Sequence, residues 1–179
     1  MLDNPLLALI IQVLIAGEAA AGIPNTPIAQ SFQPTQQGAN SGPTIYLQKL
    51  FDQRYGSTER TDVWDEPNSQ IVHTEIQQYE TTFQLSAEAQ QNPATPTQMT
   101  ASDILNFAAS ILSSDPAIQT FEAQGIGIYR ITQVRNPAFR DDYEQYEFNP
   151  NFDFVLTHKQ IITTSTPVAQ TIELQVKEV

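Results

Sequence analysis

The stretch from residue 125 to residue 160 constrains the fold of this chain more than any other part of the sequence. Two apolar runs flank a polar segment rich in Pro, Asn and Asp, and this pattern predicts a β-hairpin with a long loop. In the second run large apolar residues alternate with polar ones, which is the period of a strand with one buried face. The predicted face carries Tyr146, Phe148, Phe152, Phe154 and Leu156, with Phe152 and Phe154 in the core.

Periodicity and turn signals divide the rest of the chain into helices, strands and long polar links. Helices are predicted over residues 5–16 and 100–113, with one more helical turn over 116–124. Strands are predicted over residues 44–55, 70–85, 126–135, 144–159 and 170–176, and the links are an extended arm at 22–43 and long loops at 57–69 and 86–99. Strands joined by short links pair antiparallel, so we expect an α+β fold: a single domain over 1–179, with a mainly antiparallel sheet flanked by helices.

The first predicted helix is apolar on nearly all sides. Asn4 is a suitable N-cap, and Pro5 fits the first helical position. A signal peptide requires basic residues before its apolar run, and none precedes this one. The run is also shorter than the ~20 residues that span a bilayer. We therefore expect a helix covered by the sheet or by a neighbouring subunit, and no membrane partner. The residues expected under this cover are Leu6, Leu9, Ile10, Val13 and Leu14.

Acidic residues dominate the charge of the chain, whose formal net charge at pH 7 is −12. This balance argues against a phosphate-neutralising surface, because such a surface needs clustered Lys and Arg. Residues 61–129 contain nine carboxylates and no Lys or Arg, which predicts an acidic, solvated surface. Two interpretations stay open: a face that only keeps the protein soluble, or the wall of a channel that repels a polyanion. If the chain forms such a channel, some of the following candidate lumen residues should line it: Glu75, Glu80, Glu88, Asp103, Asp115 and Glu122.

Residue types that carry catalysis are sparse and scattered. The chain has no cysteine, which excludes disulfides and thiolate metal sites. His73 and His158 lie on separate predicted strands, whereas a zinc site needs about four ligands. The charged cluster at residues 140–144 fits a calcium loop, a carboxylate pair for glycoside hydrolysis or, most simply, a solvated turn. We expect no catalytic residue, no cofactor and no metal ion.

Trp64 lies in the acidic loop predicted at 57–69. Tryptophan is enriched at interface hot spots, so this side chain is either an exposed contact or folds back onto the core. The candidate interface residues are Leu6, Ile10, Val13 and Trp64.

The last third of the chain resembles a known family. Gly-Ile-Gly-Ile at 125–128, Arg-Asn-Pro at 135–137, a short acidic loop and Phe-Asp-Phe at 152–154 are similar to the neck and tail-terminator proteins of tailed bacteriophages. The resemblance implies a structural virion protein, made in the host cytoplasm, that forms a ring, often a hexamer, at the head–tail junction. It would terminate the tail tube, contact the tube and the connector or collar proteins, and let DNA pass without sequence-specific binding.

Two other interpretations follow from the residues without the resemblance. Gln, Asn, Thr and aromatic residues would suit a secreted or surface carbohydrate-binding or hydrolytic domain. The other is a generic soluble scaffold domain.

Overall fold

A computed structural model of the chain describes residues 3–23, 26–31, 42–89, 97–140 and 146–168, with backbone alone at 139–140 and 146–148. The predicted strand at 170–176 lies outside these residues, as do parts of the arm at 22–43 and of the loop at 86–99. Within the described ranges the helices are α1 (Asp3–Ala21), α2 (Ala101–Leu112) and α3 (Asp115–Glu122). The strands are β1 (Ile28–Gln30), β2 (Thr44–Asp65), β3 (Gln70–Glu88), β4 (Gly127–Ile131), β5 (Ala138–Arg140), β6 (Tyr146–Phe148) and β7 (Asn151–Pro167).

Five strands form one sheet in the order β1-β2-β3-β7-β4, while β5 and β6 form a separate two-stranded sheet. The pairs in the large sheet are antiparallel, except that β1 runs parallel to β2. The helices lie on one face, where α2 contacts β3 and β7 and α1 packs on α2 and α3. This architecture confirms the predicted α+β class with a mainly antiparallel sheet.

The core fills the space between the sheet and the helices. Alternate strand positions point into it, and the rings of Phe83 and Phe154 stack there with centroids 5.4 Å apart. Burying each large apolar side chain contributes about 1.5–3 kcal/mol, so this layer is the main source of stability. Its fully buried members include Ile10, Leu14, Phe83, Leu85, Leu105, Leu112, Phe121, Phe152, Phe154 and Leu156.

The helix α1 is longer than the sequence predicts. The sequence offers two glycines that can end the helix, Gly17 and Gly22. The helix continues through Gly17 to Ala21, and Gly22 follows it with a φ of +67°. Gly17 serves packing instead, because a Cβ there would collide with the side chain of Ile111 on α2. With 19 residues and a mean hydropathy of 1.6, α1 is long and apolar enough to cross a membrane by length and composition.

The chain buries only one side of α1, and 28% of its apolar stretch is buried. Leu6, Ile10, Val13 and Leu14 form a stripe that faces the core, and none of them is more than 6% exposed. Leu9, which the sequence predicts in the core, is only half-buried because it lies beside this stripe. The chain itself therefore covers one side of α1 and leaves the other exposed.

The helix α2 agrees closely with the predicted segment 100–113. Its N-cap is Thr100, whose hydroxyl accepts a hydrogen bond from the backbone N–H of Asp103 at 3.1 Å. The Asp103 carboxylate in turn accepts from the backbone N–H of Thr100 at 3.0 Å, which completes a reciprocal capping box. These hydrogen bonds lower the pKa of Asp103.

The predicted loop at 57–69 is wrong for most of its length. The strand β2 continues to Asp65, and only the four residues 66–69 form the turn to β3. Both faces of the sheet are exposed to solvent here, so the sequence lacks the alternation of apolar and polar residues that marks a half-buried strand. Thr58, Thr61 and Val63 are the remaining sign of a strand, because β-branched residues favour extended backbone.

The predicted strand over 144–159 is divided in the structure. β6 ends at Phe148, and β7 begins at Asn151, after Pro150, which has no N–H for a strand ladder. The predicted face is therefore confirmed for Phe152, Phe154 and Leu156, whereas Tyr146 and Phe148 belong to the other sheet.

Candidate functional site

The most exposed part of the fold is an extension of the sheet beyond the helices. It consists of residues 53–65 of β2, 70–80 of β3 and 157–167 of β7, and we call it the β-arm. No residue of the β-arm is buried. At ~3.3 Å per residue, the eleven-residue segments of β3 and β7 reach roughly 36 Å from the core.

The β-arm has two chemically different faces, because successive side chains of a strand point to opposite sides. The inner face continues the side on which the helices lie. Two ion pairs join β2 to β3 there: Arg60 to Glu75 at 2.7 Å and His73 to Asp62 at 2.7 Å. His73 also hydrogen-bonds the hydroxyl of Thr166 on β7 at 3.0 Å, so polar contacts tie the three strands together near the tip.

The outer face, opposite the helices, is rich in Gln and Thr and predominantly acidic. Among the described residues of β2, β3 and β7, the strand register places five carboxylates and one basic side chain on this face. The basic residue is Lys159, and the carboxylates are Glu59, Asp65, Glu80, Glu88 and Asp153. The neighbouring strand β4 adds Arg130 to this face, and Arg135 pairs with Asp153 at 2.7 Å, so basic side chains neutralise part of the acidic charge.

A polar cluster lies at the base of the β-arm, where the start of α1 meets the sheet. Lys49 Nζ contacts carboxylate oxygens of Asp3 and Asp52, each at 2.6 Å. The Thr81 hydroxyl donates to Asp52 at 2.7 Å and lies 2.9 Å from Nε2 of His158. A cleft of about 660 Å³ opens beside this cluster.

Burial and hydrogen bonding set the charges in the cluster. Burial disfavours the charge of both Lys49 and Asp52, but their hydrogen bonds outweigh it. Contacts with Asp3 and Asp52 raise the pKa of Lys49, and contacts with Lys49 and Thr81 lower the pKa of Asp52. Burial lowers the pKa of His158 and so disfavours its charged form. The cluster can hold α1 against the base of the β-arm. Because the Thr81 hydroxyl donates its hydrogen to Asp52, it does not also donate it to His158.

The two histidines lie apart, His73 near the tip of the β-arm and His158 at its base. Within the part of the chain that the structure describes, no three His, Asp or Glu side chains come close enough to hold a metal ion.

The candidate lumen residues do not share one surface. Glu80 and Glu88 lie on the outer face of β3, while Glu75 lies on the inner face and pairs with Arg60. The other three belong to the helices: Asp103 caps α2, and Asp115 and Glu122 lie in the first and last turns of α3.

The candidate interface residues also divide into two groups. Leu6, Ile10 and Val13 belong to the chain's own core instead of a subunit interface, because the stripe they form is already covered. Trp64 is 52% exposed near the tip of the β-arm and does not fold back onto the core.

The sequence gives little sign of the exposed apolar side chains near Trp64. Val63, Ile161 and Ile162 are each more than half exposed. Residues 160–167 fall in a predicted link, although the run Ile-Ile-Thr-Thr at 161–164 is rich in residues that favour strands.

The β-arm therefore exposes apolar side chains of the kind that occur at contacts between proteins. The model of the family described as E217 gateway protein gp29 matches residues 5–168. The chain belongs to this family. None of the curated proteins matches the chain.

A solved structure supports the fold. It is described as the sheath/tube terminator, in the extended state, of PVC, an extracellular contractile injection system. The match has a TM-score of 0.50 and 7% sequence identity, and covers 96% of this chain. This chain spans 63% of the length of that terminator.

Family membership confirms the predicted relationship to phage neck and tail-terminator proteins. As a member of this family, the protein is a structural virion component of the head–tail junction. The family and the structural neighbour are structural proteins and not enzymes. They give no support to a secreted carbohydrate-active domain.

Proposed function

We propose that the protein works by assembling into a closed ring of six copies in the neck of the particle. The whole chain, residues 1–179, acts as one domain in this ring and catalyses no reaction. The observation that carries the proposal is the family match over residues 5–168, which includes the core and the β-arm. A ring follows from one heterologous interface repeated around a rotation axis until it closes.

The ring terminates the tail tube on one side and meets the connector or collar proteins on the other. The structural neighbour is itself described as a terminator of sheath and tube, which supports the contact with the end of the tube. Both contacts need exposed surface outside the subunit interface. The predicted arm at 22–43 does not supply it at residues 28–30, because these form β1 and pair with β2 in the chain's own sheet.

DNA passes through the ring without sequence-specific binding. Of the candidate lumen residues, we place Glu80 and Glu88 at the opening, because they share the acidic outer face of the sheet. Carboxylates keep a duplex off the wall, whereas each Lys or Arg would pair with phosphate. Screening limits this repulsion to roughly 8–10 Å in physiological salt, so the residues must lie close to the bore.

Two measurements test this function. The mass of the purified protein in solution should be six times that of one chain, and a monomer at high concentration would contradict the ring. The second measurement is genome ejection from particles that carry Glu80→Lys and Glu88→Lys, which should slow while assembly stays normal.

Asp115→Lys is the matched control for charge, because Asp115 is exposed on α3 and lies away from the outer face. This variant should eject its genome at the parent rate. A ring whose bore is lined mainly by basic residues such as Arg130, Arg135 or Lys159 would contradict the assignment of the lumen.

A further inference from the structure

The β-arm has two open edges. β1 covers the outer edge of β2 only over Ile45–Leu47, and β4 covers the outer edge of β7 only over Phe154–Thr157. Beyond these segments no other described strand pairs with either edge. Near the tip, residues 59–65 of β2 and 161–167 of β7 both pair with residues 70–76 of β3. The two open edges therefore lie at the same distance along the β-arm.

Open edges of this length attract other chains unless they are protected. Lys side chains, bulges and Pro are common protective features. Residues 161–167 contain no charged residue and no irregularity of pairing, and their one proline, Pro167, is the last residue of the strand. An edge of this kind can pair with a strand of another chain.

We propose that the two edges pair with each other between copies: residues 161–167 of one chain add to residues 59–65 of the next. This inference rests on the proposed ring, for which it supplies the subunit interface.

Charge favours this pairing over a symmetric one. The β2 edge carries Glu59, Arg60, Asp62 and Asp65, so two β2 edges side by side would bring together two strands with net negative charge. The β7 edge is neutral and imposes no such repulsion. Pairing β2 with β7 also covers both edges of every copy, whereas pairing like with like leaves one edge of each copy open.

The direction of the strands fits a ring. β2 and β7 are each antiparallel to β3, so they run in the same direction. Rotation about an axis along the β-arm preserves that direction, and the joined edges therefore form a parallel ladder. Each copy adds three strands, so six copies would close about 18 strands, a number at which barrels enclose a water-filled channel.

The same contact shelters apolar side chains that the single chain exposes. Val63 and Ile161 lie on the outer face, where they are 62% and 59% exposed. Trp64 and Ile162 lie on the inner face, at 52% and 51% exposure. When β7 of one copy lies beside β2 of the next, Ile161 is next to outer-face residues of that β2, and Ile162 is next to its inner-face residues.

Engineered disulfides test the interface, and the chain has no cysteine of its own to interfere. Thr61→Cys is combined in turn with Ile161→Cys, Thr163→Cys and Ser165→Cys, which samples three registers on one face. Within a chain Thr61 and Thr163 flank Thr74 of β3, so their Cα atoms lie ~10 Å apart. Disulfides need Cα atoms within ~7 Å, so cross-links must join different chains.

At least one pair should give a covalent ladder, under mild oxidation, that ends at the copy number of the ring. A mixture of the two single variants of that pair should stop at covalent dimers, and each single variant alone should give no ladder. Thr61→Cys with Thr157→Cys is the matched control: Thr157 lies on the same face of β7, but β4 covers its edge, so this pair should not cross-link.

The outcomes separate this inference from the proposed function. A ring by mass with no ladder from any of the three pairs overturns the edge pairing and leaves the ring standing. A ladder from the Thr157 control as strong as the others also overturns it. A monomeric mass for the parent protein contradicts the ring and removes this interface with it.

Discussion

Replacing Phe154 by Ala should destabilise the fold strongly. Phe154 is 1% exposed and lies between Phe83, 5.4 Å away, and Phe152, 6.2 Å away, measured between ring centroids. Truncating a buried Phe leaves a cavity that costs about 3–5 kcal/mol. The lost aromatic contact with Phe83 accounts for about 0.5–1.5 kcal/mol of coupling beyond burial.

Chemical denaturation of dilute protein measures this loss as a change in the free energy of unfolding. For a chain of this size it corresponds to a fall in Tm of roughly 6–20 °C. Phe51→Ala is the control, because Phe51 is 54% exposed on β2, and its effect should stay within about 0.5 kcal/mol. A loss below about 1 kcal/mol for Phe154→Ala would refute the placement of the core.

Three further predictions concern the helices. Gly17→Ala should destabilise the protein by about 1–3 kcal/mol in thermal unfolding, because the new methyl group overlaps Ile111; no loss would mean that α1 and α2 do not pack this closely. Thr100→Ala should lower the free energy of unfolding by about 0.5–2 kcal/mol, because the N-cap of α2 is lost. Thr100→Ser keeps a hydroxyl group and should retain most of the stability of the parent protein. Glu18 is 5% exposed and accepts a hydrogen bond from the Thr26 backbone N–H at 2.9 Å. Burial raises its pKa above the ordinary 4.5, so the folded state holds this proton more tightly than the unfolded state. Stability should therefore fall as the pH rises from about 4.5 through the raised pKa. Glu18→Gln should flatten this slope in denaturation measured at a series of pH values, and an unchanged slope would contradict the assignment.

The sequence predicts the elements that have a buried face over part of their length, but it misses residues 57–65 and 160–167, which have none. Phe152, Phe154 and Leu156 are placed correctly because alternation with polar residues is the direct consequence of burial on one side. Residues 57–65 form a strand with two wet faces, so no alternation marks them, and the sequence predicts a loop. The β-arm, and with it the candidate site, depends on this strand and on residues 160–167.

Gly17 shows a second limit. A glycine near the end of a helix is a stop signal in local terms, but here the close approach of Ile111 requires it inside the helix. Only the tertiary packing distinguishes the two roles. The family resemblance, in contrast, depends on short runs of residues and needs no knowledge of packing.

The central strand β3 acquires its two neighbours at very different times during synthesis. β2 lies one short turn before it, whereas β7 pairs with it across 97 residues at the tip, from Gln70 to Pro167. A ribosome that adds about 5–20 residues per second needs about 4–16 s to extend the chain from the end of β3 to the end of β7. Throughout that interval the nascent hairpin of β2 and β3 exposes an unpaired strand edge and the apolar side chains of Phe83 and Leu85. Hairpins on neighbouring ribosomes can then pair with each other, so slow translation between β3 and β7 should favour misassembled chains over folded subunits.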